Sequence, residues 1–126
     1  MSFRRTAAAI AFVLPLISAA ALAQEMTVDF SWSGVPGCQG ASVSPAFQVR
    51  NVPDKTRSLH FTLIKRGDDR EYGGSTVTYP SSGNIPQGAV FSYSPCQPGE
   101  YVWTVTALDA LGKPLAIATK IRQFPN

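Results

Sequence analysis

The chain offers few side chains able to do covalent or acid–base chemistry. It holds a single histidine, His60, and two cysteines, Cys38 and Cys96. Its densest acidic cluster is Asp68, Asp69 and Glu71, in "KRGDDREYGG". A general base needs an orienting partner within hydrogen-bond reach, and the sequence supplies His60 with none. His60 therefore reads as a strand residue facing solvent or hydrogen-bonded to a neighbour. The acidic cluster has the oxygens that a hard cation wants. Lys65, Arg66 and Arg70 stand beside it, so a solvated loop is the simpler reading and no metal is expected. Neither a Gly-x-Ser-x-Gly elbow nor a glycine-rich phosphate loop occurs. The residues give no basis for an enzyme and imply no cofactor.

The ends of the chain bound where such a protein works. "MSFRRTAAAIAFVLPLISAAALAQ" combines Arg4 and Arg5, an apolar run and a closing Ala-Leu-Ala. That is the pattern of a secretory signal over residues 1–23, cleaved after Ala23. It is short for a membrane span, and the remainder has no second apolar run, so no transmembrane segment is expected in the mature chain. The remainder, Gln24 to Asn126, is the length of one domain, and the expected location is periplasmic or secreted. The whole chain carries a formal charge of +3, but without Arg4 and Arg5 nine basic residues face eight acidic ones. Binding to a phosphate backbone needs clustered cations. Here they are scattered, which argues against nucleic acid.

Export also decides how the cysteines are read. In an oxidising compartment an even pair in a small domain is most simply one disulfide, Cys38 to Cys96. The alternatives are two free thiols or half of a metal site.

Period-two alternation dominates the chain beyond residue 23. In "MTVDFSW" Met26, Val28, Phe30 and Trp32 share one face. "AFQV", "SLHFTLIK", "STVTY", "AVFSY", "EYVWTVTAL" and "LAIATKIRQF" are further strand candidates, separated by turns rich in Gly and Pro. "EYVWTVTAL" is apolar on both faces and should lie inside a sheet. The expectation is an all-β fold, a β-sandwich of about seven short, mainly antiparallel strands. Both tryptophans and most phenylalanines are expected in its core.

Two stretches carry a family resemblance. "CQGASVSPAFQVRNVPDKTRSLHFTL" holds Ser44-Pro45, Val52-Pro53 and Thr56-Arg57-Ser58-Leu59 in order. "YSPCQPGEYVWTVTALD" holds Tyr93, Pro95, Cys96, Pro98, Tyr101 and Ala107-Leu108-Asp109. Together with "GNIPQG" they resemble the phosphatidylethanolamine-binding protein family, in particular its bacterial Raf-kinase-inhibitor-like branch. The resemblance implies a pocket for a small anion or phospholipid head group. It would lie between the "SPCQPG" loop and the Asp68–Gly74 loop, with Pro95 and Tyr101 as floor, Tyr79 at the rim, and Asp68 and Asp69 in the acidic loop. Against the family pattern this chain is a short, divergent member without the usual pocket histidines: Gly99-Glu100-Tyr101 stands in place of His-Arg-Tyr. The reading from this resemblance is a periplasmic non-enzymatic binding protein whose head-group pocket is altered or lost. A second reading is an immunoglobulin- or fibronectin-like module that binds a periplasmic protein partner and has no small-molecule site.

Overall fold

The computed structural model describes residues 24–38, 43–68, 70–92 and 94–125. The signal-like segment 1–23 lies outside them, as do Asp69 and Tyr93. Among the described residues seven strands run in order: β1 (Thr27–Phe30), β2 (Phe47–Arg50), β3 (Ser58–Lys65), β4 (Glu71–Thr78), β5 (Asn84–Ile85), β6 (Gly99–Leu108) and β7 (Pro114–Phe124). All pairings are antiparallel. They form a three-stranded sheet, β1-β2-β5, and a four-stranded sheet, β4-β3-β6-β7. The all-β sandwich expected from the sequence is the observed fold.

The alternating residues sort as the pattern dictates. Leu59, Phe61 and Leu63 of β3 and Tyr101, Trp103, Val105 and Ala107 of β6 have no exposed surface. Val28 and Phe30 of β1 and Phe47 and Val49 of β2 close the core from the smaller sheet. Phe47 joins the layers, with its ring 4.7 Å from Phe61 and 4.9 Å from Trp103. Edge-to-face and tilted contacts of this kind add to the gain from burying aromatic area. β6 lies between β3 and β7, as its two apolar faces require.

Two elements differ from the sequence expectation. Among the described residues of "AVFSY" the pairing is only an isolated bridge, Ser92 to Gly73. The strand instead forms at Asn84–Ile85, inside a stretch whose Gly and Pro content reads as loop. β4 is also longer than "STVTY", because Glu71-Tyr72-Gly73-Gly74 joins it. Gly74 explains how: a Cβ there would overlap the Phe61 carbonyl oxygen, and its φ of +152° suits glycine.

The Ser-Pro step is a clamp. Buried Ser44 accepts bonds at its Oγ from the backbone N–H groups of Gly88 and Val90, each 3.2 Å. Its carbonyl accepts a second bond from Gly88 N at 2.9 Å. The first matched stretch is thus tied to the last residue of "GNIPQG" and to Val90 just beyond it.

Candidate functional site

The corner singled out by the sequence is well packed. Tyr101 is fully buried, and its hydroxyl donates to the Gln97 carbonyl at 2.8 Å. Trp32, Tyr72 and Phe124 stand edge-on to its ring at 5.9, 5.6 and 6.1 Å. Burial pushes the Tyr101 phenol up to about 12, with the neighbouring Tyr72 adding to the rise. Pro95 is likewise fully buried, and its carbonyl accepts a bond from Cys38 N at 3.1 Å. This is a floor with aromatic side chains already seated on it.

Of the other described residues predicted for that pocket, Asp68 sits in the turn that follows Lys65, the register partner of Tyr101, whereas Tyr79 lies apart. Tyr79 follows the end of β4 that pairs with Ser58, and its N–H bonds the Arg57 carbonyl at 2.9 Å. Ser58 pairs with Leu108, whereas Tyr101 pairs with Lys65 at the far end of the same ladder. About seven strand residues, roughly 24 Å, separate them. The structure does not bring Tyr79 to Tyr101. Asp68 is exposed, with its N–H on the Lys65 carbonyl at 3.3 Å. Glu100, where the family resemblance implies a basic residue, pairs with Arg66 at 2.9 Å.

The two cysteines are neighbours. Cys38 Sγ is 3.7 Å from the Cys96 carbonyl oxygen, and both residues are exposed thiols here. A hydrogen bond with the Cys96 sulfur, aided by desolvation and the charge of Cys96, holds the Cys38 thiol above its ordinary pKa. A raised pKa leaves less thiolate, the form that reacts.

His60 lies on the outer face of the larger sheet. Its Nδ1 is 2.8 Å from Thr76 Oγ1, and the two residues are register partners across β3 and β4. The polar neighbour expected for a strand histidine is therefore Thr76.

Three concavities lined by described residues lie away from Pro95 and Tyr101. The largest, about 690 Å³, crosses the outer face of β1-β2-β5. Its floor is one register row, Asp29, Gln48 and Asn84. Arg122 reaches over from β7 and holds Asp29 at 2.7 Å. Its guanidinium also stands 5.9 Å from the Phe30 ring centre. That bond outweighs the opposing effect of burial and, with help from the Phe30 N–H, keeps the Asp29 carboxyl below its ordinary pKa. Ala46 and Pro86 add apolar walls. Local sequence builds this row. A Cβ at Gly83 would overlap the Val49 carbonyl, so glycine lets the chain close on β2. The Gly83 carbonyl then accepts Val49 N at 2.7 Å, and Asn84 follows in register.

The groove offers a carboxylate, a guanidinium and two amides in a row. Such a set can hydrogen-bond a small polar or charged molecule. Sequence reading missed it because these residues lie in four separate strands, and only Asp29, Gln48 and Asn84 share outward alternation as a signal.

A structure search returns a candidate phosphatidylethanolamine-binding protein homolog from Chlamydia trachomatis, with a TM-score of 0.59 and 18% identity over 81% of this chain and 98% of that one. The chain has the fold of that homolog. No protein-family model matches the chain, and no curated protein matches it. The likeness agrees with the resemblance carried by the Ser44-Pro45 and Pro95–Asp109 stretches. Among the described residues no helix is long and apolar enough to cross a membrane.

Proposed function

We propose that the chain is an exported, non-enzymatic binding protein that holds a small polar ligand in the groove of β1, β2 and β5. One observation carries this reading: a concavity of about 690 Å³ with Asp29, Gln48, Asn84 and Arg122 converging on it. Ligand sites are concave, with a few placed polar groups. The fold likeness supports a small ligand, because the similar structure is described as a phosphatidylethanolamine-binding protein homolog. The absence of the family's pocket histidines and the filled corner around Tyr101 favour the groove over the position implied by the resemblance. The non-enzymatic part rests on the chemistry present: His60 lies on the other sheet, away from the groove residues.

Export and oxidation go together in this reading. The signal-like residues 1–23 would carry the chain to an oxidising compartment, where the adjacent Cys38 and Cys96 form a disulfide. The two thiols give two protons and two electrons to an exchanging disulfide of that compartment.

The test is a thermal-shift and NMR titration with phosphoethanolamine, glycerol phosphate and inorganic phosphate at millimolar concentration. Binding should move the amide resonances of Gln48 and Asn84, and Arg122→Ala should abolish the shifts. Movement confined to the Tyr101 corner would return the site to the position implied by the resemblance. No response to any of the three would remove the head-group and anion version.

A further inference from the structure

Most strand edges of this sandwich are covered. The free side of β4 is met by the Ser92 bridge to Gly73 and by Phe91 N on Ser75 Oγ at 3.0 Å. β1 turns its free side toward β7, and β5 is two residues long. β7 differs: it is eleven residues long, and among the described residues β6 is the only strand that pairs with it, β1 approaching its free side without pairing. Natural edges are protected by brevity, proline, bulges or charge, inward-pointing charge included, and Lys120 and Arg122 of β7 point inward. β7 has proline and a register shift only at its start.

Its outward face is Leu115, Ile117, Thr119, Ile121 and Gln123, without a charge. Ile117 is 66% exposed and Ile121 44%. Behind Ile121 the same face continues through its register partner Val102 and on to Ile64. Lys120 and Arg122 sit on the opposite, half-buried face, Arg122 being engaged with Asp29. A concavity of about 380 Å³ opens between Glu25–Val28 and Ile117–Lys120, so β1 does not seal this side.

The pattern is symmetric about Thr119. Antiparallel pairing of two β7 strands centred there puts Ile117 of each copy opposite Ile121 of the other. It also puts Lys120 opposite Ala118 and Arg122 opposite Ala116, so no like charges meet. Centring on Lys120 or Ile121 would oppose Lys120 to itself or to Arg122, which is unfavourable. The Thr119 register overlaps residues 115–123, about 30 Å of strand.

We propose that a second copy of this chain occupies the β7 edge, joined about a two-fold axis at Thr119 into one continuous eight-stranded sheet. The operation pairs the same patch on both copies and so closes at two. The contact is edge-sized, smaller than an obligate interface, so the dimer dissociates on dilution.

Sedimentation equilibrium on the purified protein tests it. The wild type should rise with concentration to twice the monomer mass and stop there. Thr119 is exposed, so Thr119→Lys and Thr119→Glu should each keep the native near-UV spectrum and remain monomeric. An equal mixture of the two should recover the double mass, because opposite charges then meet at the axis. Ile117→Thr, a milder change, should weaken the dimer roughly tenfold through its two symmetric cross-strand pairs. A wild type that stays monomeric, a mass that keeps growing past two, a Thr119→Lys protein that dimerises normally, or a charge-swapped mixture that stays monomeric would each overturn the proposal.

Discussion

Replacing Tyr101 by Phe should change the sign of its effect on stability with pH. The substitution keeps the ring among Trp32, Tyr72 and Phe124 and removes one hydroxyl, which donates to Gln97 O at 2.8 Å. A neutral hydrogen bond of this kind contributes about 1 kcal/mol. Near pH 7 the variant should therefore be less stable by about that amount. The phenol's pKa is 10.0 ordinarily and about 12 in the folded chain, because burial opposes its charged form. A raised folded pKa means that the contribution is fully present below pH 10 and is lost as pH climbs through 12. The full rise corresponds to at most about 2.7 kcal/mol. Tyr101 lies near the end of β6, three residues from the exposed Pro98, so solvent relaxation lowers the realised figure to about 1–2 kcal/mol. That loss matches or exceeds the hydrogen-bond term, so the wild type should fall to or below the variant between pH 10 and 12. Urea unfolding followed by the fluorescence of buried Trp32 and Trp103 reads both limbs. Parallel decline of the two proteins from pH 9 to 12 would refute the argument that burial holds Tyr101 neutral.

Gly74→Ala should destabilise by about 3 kcal/mol or more, since the added methyl overlaps the Phe61 carbonyl in the β3–β4 ladder; a thermal melt within a degree of wild type would contradict the close approach. Asp29→Asn should cost no more than about 1 kcal/mol at pH 7, because the pair with Arg122 is largely exposed. As the folded pKa of Asp29 is depressed, the difference should be present above the ordinary carboxylate pKa and vanish as pH falls through the lower folded value, read by urea melts from pH 7 to 2. Protein exported and oxidised should lose two hydrogens of mass relative to its reduced form. Reduction should then lower its stability by up to about 4 kcal/mol, the loop-entropy figure for a closed loop of about 60 residues; full alkylation of both thiols without prior reduction would contradict the disulfide.

The fold was largely legible because its strands alternate so cleanly. Tyr101, Trp103, Val105 and Ala107 against Val102, Thr104, Thr106 and Leu108 place β6 inside a sheet on pattern alone. β5 was not legible: Asn84 and Ile85 pair with β2 only because Gly83 and the Ser44 clamp bring that loop to the sheet. The candidate site was less legible for the same reason. Pro95, Cys38 and Cys96 do meet, but Tyr79 is carried to the other end of β4 by a strand longer than its sequence pattern. Asp29, Gln48 and Asn84 become neighbours only through register. Arg122 faces inward on β7, and its length, which no period reveals, takes it to Asp29.

The central claim is that small polar molecules bind across β1, β2 and β5. Amide chemical-shift mapping of the oxidised chain with phosphoethanolamine tests it most directly. The account predicts saturable shifts at Asp29, Gln48 and Asn84, lost in Arg122→Ala. An unchanged spectrum at those residues, while Gln97 and Tyr101 respond, would contradict it.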